Sequence, residues 1–293
     1  MRLLSNLHPA VLLAYIVTLM GVIMFTRHPI VILLAYAGAA LFLMAVEGMF
    51  AARKILGISL ILISLVTLTN PLFMHRGVTP LFVLFGKVVT TESLFYGFIS
   101  GAMLAAVILW FKGYGAVMTS DKFLFLFGRV FPKLSLILSM AIRFVPLFVR
   151  QIRQVYQVQK TLGLYDSPAL SDRFLGGARV FSAVLTWALE NAIDTSNSMR
   201  ARGYGLAGRT TFSLFSFGRI DFYALTVLAF LALPAVSGAR QGLLDFTYYP
   251  AVTWPGTELL DLLFWIPIGL MMLLPAMIEI ADRLIWNTYR SKI

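Results

Sequence analysis

Near residue 200 the chain reads Met199-Arg200-Ala201-Arg202-Gly203-Tyr204-Gly205, a basic run closed by glycine in a sequence otherwise dominated by apolar stretches. A guanidinium group offers five N–H donors in a rigid fork that matches carboxylates and carbonyls, which a lysine ammonium does not reproduce. Ala201 and Gly203 flank Arg202 with almost no bulk, so another surface can approach the backbone while Arg202 enters a groove on it. Arg200, Arg202 and Arg209 add positive steering toward such a partner. The helix macrodipole and a left-handed glycine cap account equally well for a basic residue in this place. Both readings put Arg202 at a helix end, and only the first gives it work to do.

A second basic-then-glycine stop lies at Lys160-Thr161-Leu162-Gly163. Glu190 and Asp194, one helical turn apart, form a face that pairs with a neighbouring helix or a partner, or is simply solvated. Other chemistries have little to stand on. The sequence has no cysteine, which excludes disulfides, thiolate metal sites and a cysteine nucleophile. It contains no phosphate-cradling GxxxxGK[ST] loop, no HExxH and no GxSxG. His8, His28 and His75 sit at the ends of apolar runs and never pair at metal-ligand spacing, so no metal site is expected. Glu92, Glu258 and Asp261 fall at one predicted membrane interface, Glu279 and Asp282 near the other, and none at a bilayer midplane where a proton relay would need it.

The elements that carry these residues are set by hydropathy. Of the 293 residues 59% are hydrophobic and 13% charged, and the mean hydropathy is +0.85. Runs near the 20 residues needed to cross a bilayer are apolar all round, which predicts an all-α integral membrane protein. Six spans are expected, at about 9–26, 29–46, 55–73, 92–111, 222–239 and 258–278. The first is read as a retained span, because Arg27 and His28 follow it and no small-residue cleavage site does. Pro29 starts the second, Asn70-Pro71 is expected to stop the third, and Thr90-Thr91-Glu92 caps a fourth that closes at Lys112-Gly113. Gly97, Gly101 and Ala105 line one face of the fourth span, a small-residue seam for a neighbouring helix.

Between Lys112 and Arg219 lie fourteen basic residues against five acids, which is +9 of the net +11. The positive-inside rule makes this segment cytoplasmic, and both termini with it. Twenty Lys and Arg then fall inside and four outside, so the basic balance needs no nucleic acid. Three regions result: 1–112 with four spans, a cytoplasmic segment 113–220, and 221–293 with two spans and a tail.

The central segment reads as a hairpin of two long helices. One runs over about 134–162 with Pro146 as a kink and stops at Gly163. The other begins at Ser167-Pro168, or after Ser171-Asp172, and ends at Arg202-Gly203. Phe148, Ile152, Val155 and Gln159 share one face of the first, and Trp187 and Val184 are expected to pack against Phe148 and Ile152.

With these residues in place, the sequence resembles the transmembrane T component of energy-coupling factor transporters. Ala188 to Gly205, with Glu190, Asp194, Ser198 and the Ala201-Arg202-Gly203 triplet, is similar to that family's second coupling helix. Ser139 to Leu147, including Arg143 and Pro146, is similar to the start of its first. The resemblance implies an importer of a vitamin or a transition-metal ion, built from this scaffold, a membrane S component that binds substrate and two ABC ATPase subunits. Each small-Arg-small tip then docks on one ATPase. No cofactor is bound by the scaffold itself, and ATP and magnesium belong to the ATPases. The first motif departs from the family pattern, since Leu162 stands where arginine is expected and Lys160 supplies the nearest charge. Unequal tips suit a heterodimer of two different ATPase chains. Two rivals are a conventional ABC permease, with one short docking helix, and a lipid-modifying intramembrane enzyme.

Overall fold

A computed structural model describes residues 3–74, 77–84, 87–163, 170–206, 215–242, 244, 246–252 and 259–290. Nine α-helices appear among them: α1 (Pro9–Phe25), α2 (Pro29–Glu47), α3 (Met49–Phe73), α4 (Thr91–Val117), α5 (Ser120–Val130), α6 (Pro132–Thr161), α7 (Leu170–Ala201), α8 (Arg219–Arg240) and α9 (Leu259–Arg290). The protein is an all-α multi-pass membrane protein, with a small antiparallel pair, β1 (Pro80–Leu84) and β2 (Lys87–Thr90), between α3 and α4. Hydropathy does not reveal that pair, because two short strands give a weaker signal than a 20-residue apolar run. Leu81 is the unpaired residue where the register slips between Pro80 and Phe82.

Contacts divide the chain into one unit of residues 1–122 and 215–293 and another of residues 123–214. In the first unit, α1–α4, α8 and α9 alternate in direction. Asp221 at the start of α8 meets His8 at the start of α1. The far end of α1 leads to His28, whose ring lies 4.7 Å from that of Trp265 near the start of α9. Val46 and Arg283, at the ends of α2 and α9, meet again, with the guanidinium donating to the carbonyl at 3.4 Å.

The helix ends follow capping chemistry. Pro9 and Pro29 occupy first positions, and the Thr90 hydroxyl accepts from the Ser93 N–H. Gly48, at φ +90°, closes α2 and opens α3, which therefore begins at Met49 and not near 55. Asn70-Pro71 does not stop α3, which runs on to Phe73 with Pro71 inside it. Lys112-Gly113 does not stop α4 either. Gly113 is spent on packing, since a Cβ there would lie 2.7 Å from the Phe42 ring, and the helix continues to Val117. α9 likewise extends to Arg290, well past 278.

Close backbone approach holds this unit together. A Cβ on Gly38 would come within 2.5 Å of the Met272 carbonyl oxygen, so α2 and α9 touch there main chain to main chain. A Cβ on Gly97 or Gly101 would lie 3.0 Å from Asn70 or Ile63 of α3, which makes the small-residue face of α4 a helix seam. Trp110 of α4 is fully buried, donates its indole N–H to the Ala35 carbonyl at 3.1 Å and stacks on Phe42.

Six helices are long and apolar enough to cross a membrane among the described residues, and they include α6 but not the 17-residue α1. At 1.5 Å per residue α1 measures roughly 25 Å, short of a full bilayer core. It nevertheless runs the length of the first unit, with Leu19 and Ile23 wholly buried.

Candidate functional site

In the second unit α6 and α7 lie side by side. Each puts a stripe of partly buried residues at four- and three-residue spacing against the other. On α6 the stripe runs through Phe144, Phe148, Gln151, Val155 and Gln159, and on α7 through Val180, Val184, Trp187, Asn191, Thr195 and Met199. Phe148 and Trp187 meet edge to face at 5.8 Å, the geometry aromatic quadrupoles favour. Val184 is buried as expected, but Ile152 is 45% exposed and Gln151 takes its place on the packed face. The kink expected at Pro146 does not break the helix, which keeps α6 continuous from Pro132 to Thr161.

The stripe changes character along its length. Beyond the aromatic contact it is largely polar, with Gln151, Gln159, Asn191 and Thr195 replacing phenylalanine and valine. Asn191 donates to the Trp187 carbonyl at 3.1 Å, while the Gln159 side-chain oxygen is buried without a hydrogen-bond partner among the described residues. Polar residues in phase with an apolar stripe are the signal that identifies them in a sequence, and only Asn191 and Gln159 stand out there.

Both stripes end in left-handed glycine. At Gly163 the φ is +73°, and its N–H donates to the Lys160 carbonyl at 3.1 Å. At Gly203 the φ is +79°, its N–H reaches the Arg200 carbonyl at 2.9 Å, and the Tyr204 N–H reaches back to the Met199 carbonyl at 3.0 Å. Those two bonds are the reciprocal pair of a Schellman stop, which satisfies carbonyls that a helix end otherwise leaves open. Gly205 is left-handed as well, at φ +97°.

The residues at the tips face outward. Arg200, Ala201 and Arg202 are exposed at the end of α7, and Lys160, Thr161 and Leu162 at the end of α6. Leu162 is 70% exposed, a bare leucine where a solvated polar residue would cost nothing. The cations stand at helix C-termini, where the macrodipole favours them by about 0.3–1 kcal/mol. Glu190, Asp194, Arg143 and Pro146 are exposed along the helices, and among the described residues neither acid has an ion-pair partner. Arg209, His75, Glu258 and the Ser167-Pro168 helix start lie outside the described residues.

No known family model matches the sequence. The chain is similar to energy-coupling factor transporter transmembrane proteins. It is 30% identical over 101 residues to the transmembrane protein EcfT of Lactobacillus helveticus, which is 34% of this chain and 36% of that one. It is 32% identical over 102 residues to EcfT of Listeria innocua, 34% of this chain and 38% of the relative. A third EcfT, from Leuconostoc gelidum subsp. gasicomitatum, is 30% identical over 98 residues, covering 33% and 37%. The chain thus spans between a third and two fifths of the length of the curated relatives it matches. Such a likeness supports an EcfT-like transporter membrane protein at that level of detail.

The first unit has polar ties of its own where α1 and α8 begin. Asp221 accepts the N–H of Gly218 at 2.8 Å, which caps α8, and the N–H of His8 at 2.7 Å, which ties α8 to α1. Lys122, buried at the same end, donates to the carbonyls of Ser5 and Val117 at 2.6 and 3.2 Å. Burial pushes its ammonium pKa down.

Proposed function

We propose that this chain is the transmembrane scaffold of an energy-coupling factor importer. In this reading α6 and α7 are coupling helices that pass ATP-driven movement of two cytoplasmic ATPase subunits to a membrane S component, for uptake of a vitamin or a transition-metal ion. The chain itself is non-catalytic. ATP and magnesium are bound by the ATPases, and the scaffold sits in the cell membrane with both termini in the cytoplasm.

The observation that supports this most is Arg202, exposed between two small residues on a rigid Schellman stop. A guanidinium held so is presented without further ordering, so little rotamer entropy beyond its own is lost on docking. The two stops differ in what they offer. Arg202 brings a charged fork and Leu162 an apolar knob with Lys160 two residues away, which suits two non-identical ATPase grooves. Force passes along α6 and α7 only if they move as one body, and the Phe148–Trp187 contact supports that.

Co-purification of the tagged chain from its own cells tests the reading. Two ATPase chains and a small membrane protein should come with it, and a solitary protein would end it.

A second reading has one observation in its favour: α6 is itself long and apolar enough to cross a bilayer. Against it, this helix carries Arg143, Arg150 and Arg153 in its middle turns. Because the chain lacks cysteine, single cysteines at Leu134 and Leu162 can be labelled without background. Labelling from one side of the membrane supports the hairpin, and labelling from opposite sides replaces it with a spanning α6.

A further inference from the structure

Between α1, α4, α8 and α9 the first unit holds a cavity of about 450 Å³. This is the size range of small-molecule sites, roughly 300–1,000 Å³, and far above what a single water needs. Its walls are almost wholly apolar, with Leu12, Ile16, Leu228 and Leu231 among them. Ile220, Tyr223 and Val227 of α8 line it and are exposed, so it opens where α8 meets the bilayer.

Two polar groups matter to this cavity, the Tyr114 hydroxyl on its wall and the Arg219 guanidinium beside it in sequence. Tyr15, another lining residue, is already engaged, its hydroxyl donating to the Met271 carbonyl. The Tyr114 hydroxyl, also on the wall, is fully buried and has no hydrogen-bond partner among the described residues. A buried hydroxyl left unpaired costs about 1–3 kcal/mol, so a ligand oxygen there would be welcome. Arg219 directly precedes the lining residue Ile220, is exposed, and has no ion-pair partner among the described residues. Asp221, close by in sequence, is turned into its bonds with the His8 and Gly218 N–H groups.

We infer that this cavity holds one acyl chain of an anionic glycerophospholipid, its ester carbonyl accepting from the Tyr114 hydroxyl and its phosphate meeting Arg219. A peptide segment fits poorly, because its N–H and C=O groups would find few partners on these walls. An acyl chain brings no such groups. The position along the helix agrees as well, since Tyr114 lies in the last turn of α4, near one end of a helix long enough to cross a bilayer.

The test uses the full chain reconstituted in vesicles of equal phosphatidylglycerol and phosphatidylcholine, extracted in mild detergent and weighed by native mass spectrometry. One phosphatidylglycerol per chain should be retained, with roughly fivefold preference over phosphatidylcholine, the scale of one basic side chain at a membrane surface. Arg219→Gln should abolish the preference, Tyr114→Phe should lower occupancy, and Ala224→Phe, which fills the cavity, should lose the lipid. Brominated acyl chains supply a reading that needs no cavity-filling variant to fold. Trp110 lines the cavity but is 1% exposed, so bulk lipid cannot touch it and bromine quenches it only from inside. Its contribution is the difference from Trp110→Phe. Absence of retained lipid and of Trp110 quenching, equal retention of both headgroups, or firm retention by Ala224→Phe would each overturn the site.

Discussion

The two units of this chain hold long helices side by side by different means. In the first, glycines allow close approach: Gly38 against Met272 and Gly101 against Ile63 main chain to main chain, and Gly113 against the Phe42 ring. In the second, α6 and α7 meet along a single stripe centred on one aromatic pair, and α6 has no fully buried residue at all. Glycine-mediated approach leaves no room for repacking, whereas the single stripe of the hairpin rests on side chains, the Phe148–Trp187 pair above all. A bundle held by backbone approach and a hairpin held by one side-chain stripe are therefore separate parts of one chain. The surplus apolar surface of the hairpin, including Phe181, Leu185, Leu189 and Ile193, is left for lipid or protein to cover.

That contrast is broken most drastically at Gly38. Gly38→Leu drives a side chain into the Met272 backbone and is expected to remove several kcal/mol, enough that no monodisperse protein survives extraction. In the hairpin a Cβ on Gly177 would meet nothing within 4 Å, so the matched change Gly177→Leu should leave the size-exclusion profile unaltered and the melting temperature no lower. If both behave alike, the distinction between the units is lost.

Next in size is the pair of tips. Arg202→Glu should weaken ATPase attachment by about 2–5 kcal/mol, abolishing pull-down and uptake, with the melting temperature of the scaffold unchanged. Leu162→Glu should weaken it less. A complex that survives Arg202→Glu intact would remove the docking role.

Trp187→Ala should cost the hairpin about 1 kcal/mol beyond lost area, and it should broaden the distance between spin labels placed on otherwise cysteine-free α6 and α7. An unaltered distance distribution would show that the aromatic pair does not set the spacing. Asp221→Ala sits on the other side of the comparison. It removes a cap and the α1–α8 tie together, and a loss of about 1 kcal/mol should appear in melting of the first unit with α6–α7 distances unaffected. The smallest effect is a gain. Gly177→Ala, in an open turn of α7, should stabilise that helix by about 0.5–1 kcal/mol, read by slower amide exchange there.

What the sequence makes legible follows a physical line. Hydropathy and capping act over a few residues, so the apolar spans, Pro9 and Pro29 at first helical positions, the Thr90 cap and the glycine stops at 163 and 203 can all be read from local sequence. The exposed Arg202 tip belongs with them, because its position depends on a helix end and nothing else. Phe148 against Trp187 is also within reach, through helical spacing on each partner.

The features that sequence does not disclose are decided by partners from far along the chain. Gly113 reads as a stop until the Phe42 ring occupies the space beside it, and Asp221 reads as an ordinary first-turn acid until the His8 N–H arrives. Whether Gln151 or Ile152 faces α7 turns on the phase of two helices, which 3.6-residue spacing alone does not set. The cavity beside Tyr114 exists only because α1, α4, α8 and α9 leave it between them. Local chemistry wrote the helices and their ends into the sequence, and long-range packing chose their faces and the space they enclose.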